Sequence, residues 1–141
     1  MLGARPPGFD AAVRAAVADA MARLGRDPCR SILLEFRDER GRPLRESFDA
    51  LGGDAEALFR ELIFVNGDNE AACRSVNVIA GTRPGSRVLH VCGRRFTRLQ
   101  FRDPALAAAV ILHETLHALG LGENPPSSGE ITERVRSRCG R

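Results

Sequence analysis

Residues 103–126 read DPALAAAVILHETLHALGLGENPP, and this stretch decides how the rest of the chain is read. Asp103 followed by Pro104 is a helix start, because an aspartate side chain accepts from the first free N–H groups and proline fits the first helical turn. The run Ala105–Leu119 contains no breaker and is apolar on nearly every face except at His113, Glu114, Thr115 and His117. It is expected to form a helix buried in the core. His113 and His117 stand four residues apart, so their imidazoles project from one side of that helix, one turn above the other, and can hold one zinc ion between them. Glu114 points about 100° round the helix, too far to be an easy third ligand but near enough to act as general base on a water held at the metal. Gly120 then supplies a residue able to take a left-handed conformation and stop the helix.

The pattern His113-Glu114-x-x-His117-x-x-Gly120-x-x-Glu123 resembles the zinc-binding consensus of the metzincin clan of metallopeptidases, with Glu123 where most members carry histidine. The resemblance implies a zincin-like domain that binds zinc. In it His113, His117 and Glu123 are the ligands, Glu114 is the catalytic base, and the substrate is a peptide or protein whose bonds are hydrolysed. The clan also has a methionine turn below the metal, and the methionines here are Met1 and Met21. A gluzincin-like arrangement therefore stays open, in which Glu130 or Glu133 from a later helix completes the site. Several zincins steady the reacting oxyanion with tyrosine or histidine. This chain has no tyrosine, so the candidates are His90, Arg94 and Arg95. Two other readings of the same helix are a non-catalytic metal-binding or interaction domain and a zinc hydrolase of a non-peptide amide.

Placing His-Glu and His on an otherwise oily helix is costly unless their polar groups have a partner, and two of only three histidines in the chain fall within this motif. A length of 141 residues suits one domain spanning 1–141, large enough for a real core. The net charge of +3 is interleaved with acidic residues, so no nucleic-acid stripe is expected; the nearest cluster, Arg94, Arg95, Arg98 and Arg102 around Phe96 and Phe101, reads as a solvated face. No run reaches the length of a membrane span, and Met1–Pro7 lacks the apolar core of a signal peptide.

Four cysteines without a C-x-x-C pair suggest two disulfides and an oxidising, extracytoplasmic compartment. Cys73 and Cys92 flank a candidate hairpin, which leaves Cys29 and Cys139 to tie the first helical region to the C-terminus.

Working back from the motif, helices are expected at Asp10–Leu24, Cys29–Arg37, Leu44–Leu51 and Ala55–Leu62, the last capped by Asp54. Strands are expected at 63–65, Val76–Ala80 and Arg87–Cys92, with Phe96–Phe101 as a lead-in to the motif helix. A final helix, Gly129–Arg138, is capped by Ser127 or Ser128. The order predicts an α+β fold: N-terminal helices, a small mainly antiparallel sheet, and the buried zinc-binding helix packed against it. Many zincins resemble this plan, with an edge strand along the cleft; Val76–Ala80 or Arg87–Cys92 would serve here.

Overall fold

The computed structural model describes residues 4–141; Met1, Leu2 and Gly3, part of the stretch read as lacking a signal peptide, lie outside the described residues. The fold is α+β, and its centre is α7, Pro104–Ala118. Asp103 accepts from Leu106 N at 3.1 Å and Pro104 sits in the first turn, as the sequence chemistry requires. Along α7 the residues Ala107, Ala108, Ala109, Ile111, Leu112, Leu116 and Ala118 are buried, so the helix runs through the molecule and not across its surface.

Helix α1 (Phe9–Leu24) packs on α7 and buries Phe9, Val13, Ala16, Ala20 and Leu24. Small alanines on both helices allow a close approach of their axes. Helices α4 (Leu44–Ala50) and α5 (Ala55–Arg60) follow expectation to within two residues, and Asp54 caps α5 by accepting from Ala57 N at 2.7 Å. The C-terminal α8 (Ser128–Cys139) begins with a capping box between Ser127 and Glu130 and buries Ile131, Val135 and Cys139 against α7.

Four expectations are corrected. The helix Cys29–Arg37 is two short pieces, α2 (Asp27–Arg30) and α3 (Ile32–Glu35). The Ser31 hydroxyl bonds the Pro28 carbonyl at 2.8 Å and the Glu35 carboxylate at 2.9 Å, and Arg37 and Asp38 are drawn into bridges with Pro43 and Leu121. The sheet is mixed, not mainly antiparallel: β1 (Ile63–Asn66) runs parallel to β3 (Val88–Val91) over four residue pairs, and β2 (Ala80–Gly81) pairs antiparallel to β3 over two. The long excursion from residue 67 to residue 87 brings β3 back to the end of the sheet where β1 began, which only a parallel neighbour can satisfy.

Val76–Ala80 is not a strand before Ala80. Arg95 donates to the carbonyls of Cys73, Ser75 and Val78 at 2.5–2.7 Å, so a guanidinium gathers the chain leading into the segment and occupies the Val78 carbonyl that a ladder would have used. Phe96–Phe101 is part of a full helix, α6 (Gly93–Arg102), whose buried side carries Phe96 and half-buried Leu99.

Both disulfides form as expected, Cys29–Cys139 and Cys73–Cys92. The first ties α2 to the end of α8; the second clips the 3₁₀ turn Ala71–Arg74 to the residue that precedes α6.

Candidate metal centre

His113 and His117 lie one turn apart on the most enclosed part of α7, each about 5 % exposed. Their ring centroids are 5.0 Å apart and their Nε2 atoms face each other at 3.2 Å. The helix ends immediately afterwards at Gly120, whose φ of +118° suits glycine and whose missing Cβ would stand 3.1 Å from the Asp38 Cβ. Leu121 then returns to bridge Asp38 and donates its N–H to the Leu116 carbonyl. The turn delivers Glu123 over the rings, with Oε1 3.2 Å from His117 Nε2 and 3.6 Å from His113 Nε2. The last carbonyls of α7 are met by Gly85 N, on His117 O at 2.8 Å, and by the Arg87 guanidinium, on Ala118 O.

The outer face of each ring fixes what the inner face can do. His117 Nδ1 lies 2.7 Å from the Leu121 carbonyl, which can only accept, so Nδ1 carries the proton and Nε2 presents a lone pair. His113 Nδ1 lies 2.9 Å from the Thr132 hydroxyl of α8, which can accept from it in the same way. With both Nδ1 atoms carrying the proton, two imidazole lone pairs and a carboxylate oxygen converge. Burial, reinforced by the neighbouring His117, holds the His113 pKa down at about 4 against the smaller opposing pull of Glu123, so protonation of that ring does not relieve the convergence near neutral pH.

A metal ion does. Tetrahedral coordination with bonds of about 2.0–2.1 Å places neighbouring donor atoms roughly 3.3–3.4 Å apart, and the three separations here are 3.2, 3.2 and 3.6 Å. The donor set fits a metal ion, with each imidazole oriented from behind by a hydrogen bond of the kind that supports metal-binding histidines.

Among the described residues, His113, His117 and Glu123 are the group that could hold a metal ion. The chain matches no known protein-family model, and no curated protein and no solved structure is significantly similar to it. What the centre does must be argued from its own atoms.

Glu114 lies beside the donors, with Oε2 4.0 Å from His113 Nε2, and is 6 % exposed. Burial pushes its pKa up to about 7, against the opposing pulls of His117 and the nearby Thr82 hydroxyl. Its Oε1 has no hydrogen-bond partner among the described residues, and neither does Thr82 Oγ1. Both residues line a cleft of about 500 Å³ that opens onto the metal donors. One wall is the segment 77–82 around β2, and the floor is apolar, from Leu99, Leu106 and Val110.

The alternative third ligands are elsewhere. Glu130 is held in the α8 capping box and Glu133 pairs with Arg141, so neither joins the rings. The oxyanion candidates are also displaced. His90 lies on the face of β3 turned away from the core, where its Nδ1 meets Glu70 at 2.9 Å and it lines a separate cleft. Arg95 is committed to the 73–78 carbonyls, and Arg94 leads into α6 beside Asp68.

The sequence did not mark Thr132, the Leu121 carbonyl or Thr82. The first two act by contacts that close only in three dimensions, and a threonine one residue past a two-residue strand carries no pattern of its own.

Proposed function

We propose that this chain is a small zinc-dependent metallopeptidase, working outside the cytoplasm on peptide or protein substrates. The observation that carries the reading is the convergence of three acceptors, His113 Nε2, His117 Nε2 and Glu123 Oε1, beside an enclosed carboxyl that has an unpaired oxygen. Two imidazoles and one carboxylate are a donor set suited to zinc, and three protein ligands leave one position for water or substrate, as in catalytic sites. When bound, zinc supplies Lewis acidity, polarising a substrate carbonyl and making a water more acidic.

The rest belongs to the chain. Glu114 is placed to take a proton on its carboxyl, and a pKa raised to about 7 makes it an effective acceptor and donor near neutral pH. It later returns the proton to the leaving amine. The outer edge of β2 is unpaired within the three-stranded sheet, whose order is β1-β3-β2, and β2 lines the cleft. An extended peptide can add to that edge through main-chain hydrogen bonds, which brings its backbone past Glu114. Two disulfides suit an oxidising compartment, and no helix among the described residues is long and apolar enough to cross a membrane.

The test is to load the purified protein with zinc and follow cleavage of a fluorescently labelled denatured protein beside a panel of small amides. Glu114→Ala is expected to keep one zinc per chain and lose at least about a hundredfold in hydrolysis. A protein that takes up no zinc, or a Glu114→Ala variant as active as the parent, refutes the proposal. Cleavage confined to the small amides would assign a non-peptide substrate instead.

A further inference from the structure

The motif places Glu114 beside the metal donors but does not determine how its carboxyl is turned. Rotation about the last side-chain bond exchanges the two oxygens, and a base that turns freely spends little of its time in position to accept a proton. Oε2 is on the His113 side, 4.0 Å from Nε2, and Oε1 points away without a partner among the described residues.

A second orphaned polar atom is the hydroxyl of Thr82. This oxygen is buried, is also without a partner among the described residues, and lines the same cleft. Its backbone is held on both sides: Gly81 pairs with His90 in the sheet, and three residues on, Gly85 N donates to His117 O at 2.8 Å. Other threonines close to the site are committed, Thr115 to the Ile111 carbonyl at 2.7 Å and Thr132 to His113. A buried donor and a buried acceptor without other partners, fixed on two walls of one cleft, complement each other.

We propose that Thr82 is the positioning residue for Glu114: its hydroxyl donates to Oε1, which leaves Oε2, on the metal side, as the oxygen that accepts the proton. The contact stands on its own, and its catalytic consequence rests on the peptidase reading. In that reaction the water oxygen bonds to the carbonyl carbon as its proton passes to Oε2. The C–N bond then breaks as Oε2 hands the proton to the departing nitrogen, and Thr82 keeps its own proton throughout.

Thr82→Val and Thr82→Ser, each made with Glu114 present and with Glu114→Ala, decide the matter through two readouts. In thermal unfolding of the metal-free protein at pH 8, Thr82→Val should lower Tm by about 3 °C when Glu114 is present and by about zero in Glu114→Ala, with Thr82→Ser close to the parent. In the zinc-loaded enzyme, Thr82→Val should lower kcat about tenfold with KM unchanged within about twofold, and Thr82→Ser should recover most of the loss. Thr82→Ala repeats both measurements should valine perturb the strand. Equal Tm changes in the two backgrounds, or an unchanged kcat in an active enzyme, overturn the proposal. If the parent protein cleaves nothing, the peptidase reading fails, and the thermal comparison alone upholds or overturns the contact.

Discussion

Replacing Thr132 by valine isolates a part of the metal centre that lies outside the sequence motif. The side chain keeps its shape and loses the oxygen that sits 2.9 Å from His113 Nδ1. His113 is 5 % exposed, so water does not readily take the place of that oxygen. Removing a partner of this kind typically weakens metal binding by about 10- to 100-fold, equivalent to roughly 1.4–2.7 kcal/mol. With free zinc at a thousand times the parent Kd, the parent gains about 4.1 kcal/mol of stability and the variant about 2.7 to 1.4. For a chain of 141 residues each kcal/mol corresponds to about 3 °C. The zinc-induced rise in Tm should therefore shrink from about 12 °C to between roughly 4 and 8 °C. Zinc affinity is measured by competition with a chromophoric chelator, and Tm by calorimetry with and without zinc. Thr132→Ser, which restores the oxygen, should recover the parent values. A folded Thr132→Val protein that binds zinc within about twofold of the parent would show that the hydrogen bond behind His113 plays no part in holding the metal.

Glu123→Ala should weaken zinc binding by more than about a hundredfold, whereas Glu130→Ala and Glu133→Ala should leave it within about threefold, all by the same competition assay. Glu35, bonded to Arg138, Ser31 and Arg134, has its pKa lowered to about 2 from 4.5. A carboxylate with a depressed folded pKa contributes stability above pH 4.5 that is lost as pH falls toward 2; discounted for solvent screening, this is on the order of 1 kcal/mol. Glu35→Gln should thus destabilise the protein at pH 7 in urea unfolding and have little effect near pH 2. Replacing Cys29 and Cys139 together by alanine opens a loop of 110 residues and should cost about 5 kcal/mol, and the Cys73/Cys92 pair, 19 apart, about 3, read from denaturant midpoints.

The sequence made the buried motif helix legible because its signals are local: a cap at Asp103, an unbroken apolar run, and a glycine stop. It also suggested the disulfide pairing, with Cys73 and Cys92 flanking a candidate hairpin and Cys29 and Cys139 as the remaining pair. It failed where long-range contacts decided the outcome. The 76–79 segment is rich in β-branched residues and reads as strand, but Arg95, nearly twenty residues later, takes the Val78 carbonyl and that of Ser75 just before the segment. Helix α6 was obscured because arginines fill most of its outward positions and the buried positions between them are few, Phe96 foremost. For the site, the group His113, His117 and Glu123 that could hold a metal ion was legible because one helix and one turn supply all three. The groups behind and beside them, Thr132, the Leu121 carbonyl and Thr82, come from an adjoining helix, a turn backbone and a strand end. No spacing in the sequence links them to the motif.

The arrangement that suits this centre to a metal ion should also weaken the protein without one. Converging lone pairs on His113, His117 and Glu123 would repel, and enclosing the Glu114 carboxyl, 6 % exposed, adds a desolvation cost. The surrounding structure nevertheless keeps these groups in place: His117 is tied to Leu121 O, His113 to Thr132, and the end of α7 to Gly85 and Arg87. The supporting elements are themselves anchored. Cys29–Cys139 fastens α8, which carries Thr132, and Cys73–Cys92 fastens the segment leading into the cleft wall at 77–82. The staples and a bound metal would therefore act on the same balance from opposite sides, one limiting the freedom of the unfolded chain and the other relieving repulsion in the folded one. Loss of either should leave a marginal fold. Loss of both should unfold the region around α7 and α8, since the repulsion would then meet no restraint beyond the core.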